Sequence, residues 1–364
     1  MKMPTEAICR EIRKHGVISF ARFMELALYC PESGYYEKKG DNVGRAGDFI
    51  TSVSTGSLFG ELLAFQFAGW LRESQIANFK LQIIEAGAHD GKLAADILNW
   101  LQNHRPELFS QIEYCILEPS LNRQAWQKEA LKPFAPRVRW LVGLNDSTIQ
   151  PFNGILFSNE LLDAFPVHRF GWDAKSQAWF EWGVALVGEV FGWVKIQPPQ
   201  SSLPSTIRHL PAALVDVLPD GYTVETSPAA ETWWREASRS LQRGRLLTID
   251  YGYTAGEMVS PARPRGTLRA YHSHRVSDDL LAHPGEQDLT AHVNFTAIQQ
   301  AGEEAGLKTE SFCTQPQFLT RILQKAVSDK SFAQLDAKQV RQFQTLTHLE
   351  HLGRAFRVLV QSRG

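Results

Sequence analysis

From residue 80 onward, short apolar runs alternate with amphipathic stretches, and this alternation constrains the fold more than any other feature. LQIIEAG (81–87) reads as a buried strand ending in a glycine turn, and residues 92–103 as a helix. EYCILEPS, RVRWLV and GILFSNELLDAFP supply further strands, with a helix predicted over 122–131. Strands separated by such helices predict an α/β fold, a mostly parallel sheet with helices on both faces and right-handed crossovers. After Pro166 the period shortens to two. HRFGWDAKSQAWFEWGVALV and GEVFGWVKI read as an inserted antiparallel ribbon carrying Trp172, Trp179, Trp182 and Trp193. Those tryptophans are expected to pack the ribbon on the sheet rather than to form an interface. A helix over 228–242, the strand RLLTIDYGY, a helix over 295–305, the strand LKTESFCTQ, one or two helices across 317–352 and the strand AFRVLVQ complete the pattern. Ahead of it, helices are predicted over 4–14 and 19–29, the second capped by Ser19. A third begins near Ser57, with a stripe of Leu58, Leu62, Phe65 and Trp70. Between them lies PESGYYEKKGDNVGRAGDFITS, a polar loop long enough to suggest ligand contact.

Charge and composition exclude several function classes. The 364 residues carry 38 basic and 39 acidic side chains, a net of -1, which gives no support to a nucleic-acid partner. No apolar run reaches the length of about 18 residues that would suggest a membrane span. The N-terminus lacks an apolar signal core, and Glu6 and Glu11 argue against an organellar presequence, so a cytoplasmic protein is expected. Cys9, Cys30, Cys115 and Cys313 form no CxxC pair and read as reduced, mostly buried thiols.

In open α/β sheets ligands bind beyond the carboxyl ends of the strands. Glu85, Gly87 and Gly91 occupy the first such end. Gly87 suits a tight turn, Gly91 a close helix approach, and Glu85 can accept a bond from a cationic or hydroxylated group. Glu118 ends the next strand, where an acid can receive both ribose hydroxyls or simply cap the following helix. A dinucleotide fits poorly, because His89 stands where the fingerprint needs a glycine close to a pyrophosphate. S-adenosylmethionine, which has a ribose and an amino-acid end but no diphosphate, fits better. Asn159, Glu160 and Asp163 crowd a third strand end. On a helix the two carboxylates would share a face and could bind a cationic nitrogen, or they could serve only as first-turn acids. His272-x-His274, with His283 and His292, is the nearest approach to a metal signature, and no metal is expected.

The blocks GDFITSVSTGSLFGELLA, IIEAGAHDGKLAADIL, YCILEPS, SNELLDAFPV, LLTIDYGY, GTLRAYHSH and GEQDLTAHVNF together resemble the MidA-like family of S-adenosylmethionine-dependent methyltransferases. The resemblance runs from about residue 30 to 296. It implies a Rossmann-like class I methyltransferase sheet in residues 79–364, with insertions at about 167–227 and 254–290, behind an N-terminal helical segment, 1–78, that covers the cofactor. It implies S-adenosylmethionine as cofactor, held by Glu85, Gly87, Gly91 and Glu118, with Gly47, Asp48, Phe49, Thr51 and Ser52 folding over it and Asn159 beside it. Asn159, Glu160 and Asp163 would form the transfer site, and Asp288, Thr290 and His292 match a late block. The family departure is His89, where glycine is usual. A mitochondrial member dimethylates an arginine of a respiratory complex I subunit, so the resemblance implies direct methyl transfer to nitrogen of a protein arginine. Glu160 would hold the guanidinium, helped by Asp163. The expected partner is a protein substrate, and a homo-oligomer is one assembly open to the chain. The alternatives are a catalytically silent cofactor-binding assembly protein and a nucleotide-dependent oxidoreductase.

Overall fold

Among the described residues the central sheet has seven main strands, β1 Leu81–Ala86, β2 Ile112–Leu117, β3 Val138–Leu141, β4 Phe152–Asn159, β5 Leu241–Tyr253, β6 Lys308–Thr314 and β7 Phe356–Arg363, and an eighth of two residues, Val293–Asn294, that pairs with the end of β5. The computed structural model describes residues 3–31, 33–38, 51–73, 81–146, 151–198, 203–208, 210–272, 275–329, 331–332, 335–348, 352–353 and 355–364. Spatially the order is β6-β7-β5-β4-β1-β2-β3. β7 runs antiparallel to both neighbours, and the remaining pairs are parallel. The class I methyltransferase fold is therefore present: an α/β sheet, mostly parallel, with helices on both faces. From β1 the chain winds to β2 and β3 on one side, then returns to β4 and β5 on the other. The resulting crevice between β1 and β4 is a switch point where α/β sheets take ligands.

Every residue of β1 is buried, as a central strand covered on both faces requires. One face is closed by the helices Leu58–Glu73, Lys92–His104 and Gln315–Ser328, whose Leu62, Phe67, Ile97, Leu98 and Ile322 join the core. The other is closed by Pro228–Ser240 and Phe295–Glu304, with Trp234 fully buried between them and the sheet. Ser19 caps the helix Phe20–Tyr29 as the sequence suggests, accepting the Arg22 amide at 3.2 Å.

The inserted ribbon is larger than its sequence shows. His168–Asp173, Ala178–Val187 and Val190–Ile196 are joined by Thr223–Thr226 and by Ile18–Ser19 in a five-stranded antiparallel sheet. It packs on the N-terminal helices rather than on the central sheet. Trp193 lies 5.1 Å from Phe20, and Phe191 lies 5.6 Å from Phe23, between ring centres. Trp172 instead buries itself with Tyr222 and Val224. A second insertion folds into three short strands, Arg269–His272, Arg275–Ser277 and Asp288–Thr290. The buried Arg169–Glu225 pair (3.3 Å) fastens the two insertions together, because Glu225 also accepts the Thr267 amide at 2.8 Å.

Candidate active site

Beyond the ends of β1 and β4 lies a cavity of about 570 Å3, a usual size for a small-molecule site. Its wall includes Glu85, Gly87, His89, Asn159, Glu160, Asp163, Thr51, Asp288 and Thr290. The structure thus brings together candidates that lie more than 200 residues apart in sequence. Ser52 stands beside them, its amide donating to Glu160 Oε1 at 3.3 Å. Gly47, Asp48 and Phe49 lie outside the described residues.

The turn after β1 passes through left-handed backbone three times, at Gly87 (φ 75), His89 (φ 45) and Gly91 (φ 86). A side chain at Gly87 would meet Leu161 Cδ1 at 2.9 Å, a contact the leucine can relieve by moving, so the left-handed φ is the firmer reason for glycine here. His89 bears the steric cost of that conformation, about 1–2 kcal/mol. Its carbonyl is fixed by Gln127 Nε2 at 3.0 Å, and its ring stands partly exposed at the cavity wall. Glu85 is buried and accepts the Tyr114 hydroxyl at 2.5 Å. Burial pushes its carboxyl up to about 8.

Glu118 stands directly after β2, at its carboxyl end, but does not line this cavity. One of its oxygens takes the Ser120 amide (2.9 Å) and Arg123 (3.0 Å), and the other takes Gln127 Nε2 (3.2 Å). A ribose at that carboxylate would compete with Arg123 for Oε1.

The helical face proposed for Glu160 and Asp163 is corrected by the structure. β4 ends at Asn159, Glu160 adopts φ 52, and only a single 3-10 turn, Leu162–Ala164, follows. The left-handed residue breaks any helix, so a turn rather than a helix face brings the two acids to one cavity. With no α-helix there, the dipole-stabilised first-turn reading loses its basis. Glu160 Oε1 accepts Asn159 Nδ2 at 2.9 Å. Glu160 Oε2 and Asn159 Oδ1 are buried with no hydrogen-bond partner among the described residues. Burial, then the neighbouring Asp163, pushes Glu160 up to about 8. Asp163 is driven well above the carboxylate range by burial and by Asp250 and Asp288.

Three residues around the site, Tyr29, Tyr36 and Asp250, were not singled out in the sequence. Tyr36 lines the cavity and donates to Asp288 Oδ1 at 2.8 Å, while Tyr29, 5.5 Å from it ring to ring, donates to the Ala164 carbonyl at 2.9 Å. Asp250 lies in LLTIDYGY, where an acid near the end of an apolar strand was the available signal. His292 does not line the cavity. It stacks on Tyr253 at 4.9 Å, and burial lowers it to about 4. His272 bonds the Glu286 carbonyl at 3.1 Å, and His274 lies outside the described residues. Among the described residues no cluster of His, Cys, Asp and Glu is placed to hold a metal, and no helix is long and apolar enough to cross a membrane.

The residues present fit S-adenosylmethionine. Gly87 keeps space a side chain would fill, Glu85 offers a buried acid to an ammonium end, and acceptors crowd the β4 end. Comparison with known proteins agrees. A family model described as "Putative S-adenosyl-L-methionine-dependent methyltransferase" matches residues 62–313. The human protein arginine methyltransferase NDUFAF7, mitochondrial, is 28% identical over 80% of this chain and 67% of its own length. The Drosophila melanogaster homologue is 26% identical over 97% and 83%. A COG1565 superfamily protein of Burkholderia thailandensis, solved with S-adenosyl-homocysteine, superimposes with a TM-score of 0.84 at 32% identity, covering 99% of this chain and 92% of the other. The cytoplasmic expectation does not stand, since these curated relatives are named as mitochondrial. S-adenosylmethionine is the cofactor, and the chain belongs to the MidA-like family of S-adenosylmethionine-dependent methyltransferases.

Proposed function

We propose that the chain methylates a guanidinium nitrogen of a protein arginine. The observation that carries this reading is the pair of buried, unpartnered acceptors, Glu160 Oε2 and Asn159 Oδ1, beside Asp163 and Asp288. Such a wall has acceptors to spare, and a guanidinium brings five N–H donors and a positive charge. The human relative's name, a protein arginine methyltransferase, favours the same acceptor.

When bound, S-adenosylmethionine supplies an electrophilic methyl group. The chain's own contribution is alignment and charge placement. Glu85 and the Gly87–Gly91 turn would hold the amino-acid end, and Glu118 the ribose in competition with Arg123. Glu160 would pair with the guanidinium and orient one nitrogen. As that nitrogen's electron pair forms the new N–C bond, the methyl–sulfur bond would break with its pair left on sulfur, S-adenosylhomocysteine would leave, and the proton lost from nitrogen would pass to Glu160. A Glu160 carboxyl raised to about 8 suits that role near neutral pH. Because it must be ionised to pair with the cation and take the proton, kcat/KM, which reports the free protein, should rise with pH through that value, while kcat should level at lower pH because a bound guanidinium draws the carboxyl down.

Methyl-labelled S-adenosylmethionine, incubated with the protein and a lysate of cells lacking it, tests the acceptor class. Label recovered as methylarginine after acid hydrolysis is the expected result. Label confined to lysine, to a carboxylate ester or to a small molecule would overturn it.

A further inference from the structure

We propose that Asp250 is a positioning residue for methyl transfer, clamping the turn that aims Glu160 into the cavity. The inference rests on the acceptor role given to Glu160 above. Asp250 does not line the cavity and is fully buried. It follows Ile249, which pairs with Asn159 across the β4–β5 register, so it stands beside the point where β4 turns away.

Its contacts bracket Glu160. Before the turn, the Glu160 amide donates to the Ile249 carbonyl at 2.9 Å. After it, the amides of Leu161 and Leu162 both donate to Asp250 Oδ2, at 3.1 and 2.8 Å. Asp250 Oδ1 is held in turn by the Tyr251 amide at 2.8 Å. Glu160 itself is left-handed at φ 52, a conformation an L side chain avoids unless its surroundings impose it. A neutral loop would relax to ordinary backbone, swinging the carboxylate out of line. One Asp250 oxygen accepting the two amides after Glu160, with the Glu160 amide held on the Ile249 carbonyl before them, ties the chain on both sides of the left-handed residue and opposes that relaxation. An asparagine can serve Oδ2 or Oδ1 as an acceptor, but not both.

The decisive experiment compares Asp250→Asn, Glu160→Gln and the double variant. The rate of label transfer from methyl-labelled S-adenosylmethionine to protein in the deletion lysate is measured alongside S-adenosylhomocysteine binding. Asp250→Asn should slow transfer at least ~20-fold, as misalignment at a reacting centre does, with binding within about threefold. In the Glu160→Gln background the same change should cost less than about threefold, because its target is gone. A simple stability role would leave the two losses multiplicative, and multiplicative losses overturn the inference. Normal transfer by Asp250→Asn overturns it while leaving the acceptor reading intact; normal transfer by Glu160→Gln overturns both. Should Asp250→Asn fail to bind S-adenosylhomocysteine, amide exchange in the wild-type protein decides. Slow exchange at Leu161 and Leu162 supports the clamp, and fast exchange refutes it.

Discussion

Substitutions at His89 and Glu118 test, one residue at a time, how this site would hold its cofactor. His89 occupies a left-handed position where its glycine counterpart would be unstrained. His89→Gly should therefore gain about 1 kcal/mol in denaturant unfolding and keep or modestly improve S-adenosylhomocysteine affinity. Loss of binding in a stable Gly variant would make the imidazole a ligand contact. Glu118 carries a different penalty. From sequence alone, removing it should weaken binding and leave the melting curve nearly unchanged. The structure alters the second half, because Arg123, 13% exposed, would lose its partner in a largely buried place. Glu118→Ala should cost about 3 kcal/mol of stability as well as roughly 10- to 150-fold in calorimetric affinity. Unchanged affinity in a folded variant would remove Glu118 from the cofactor site.

At the scale of elements, the inner strands of the central sheet are legible because they are apolar runs bounded by turn residues, whereas the edge strand β6, KTESFCT, is mostly polar. LQIIEAG and RLLTIDYGY become β1 and part of β5 within a residue or two of their apolar limits. Thr223–Thr226 and the short helix Pro106–Gln111 escape notice, being only four and six residues long and without a clear period. The partner of the inserted ribbon was equally hidden, since nothing local in Trp193 or Phe191 says they meet Phe20 and Phe23. The acids of the site could be read from strand ends, whereas their geometry could not. A helix and a left-handed turn both bring residues 160 and 163 near each other, and the contacts that distinguish them, such as the Leu161 and Leu162 amides on Asp250, come from far away in sequence. The contact between the β1 and β4 turns is testable on its own. Gly87→Ala forces a methyl to within 2.9 Å of Leu161 while straining a φ of 75. It should weaken S-adenosylhomocysteine binding at least ~10-fold with the sheet intact by circular dichroism. Wild-type affinity would mean that the two turns are not coupled.

For the whole molecule, the buried acids make stability depend on pH in a stated direction. Burial raises Glu85 and Glu160 to about 8 and Asp250 to about 7. A carboxyl whose folded value exceeds its unfolded one stabilises the fold fully below the unfolded value. That stabilisation is lost as pH rises through the folded one. His292, lowered to about 4, acts in a lower window, because unfolding restores its ordinary value near 6.5. Between pH 7 and 9 it is neutral in the folded state and mostly neutral in the unfolded one, and the acids dominate. The urea midpoint of the ligand-free protein should fall across that interval, less steeply in Glu160→Gln. A midpoint that stays level or rises would show these carboxyls to be better solvated or paired than their burial implies.

The central claim, that a carboxylate wall holds an arginine for transfer, is tested most directly by Glu160→Gln. The substitution keeps the shape and one acceptor oxygen but removes the charge that pairs with the guanidinium. Transfer rate to the acceptor and S-adenosylhomocysteine affinity should be measured on one preparation. The account predicts at least a ~100-fold loss of turnover, about 2.7 kcal/mol of transition-state stabilisation, with affinity within about threefold. Normal turnover would contradict it, and an affinity loss equal to the rate loss would move Glu160 into the cofactor site.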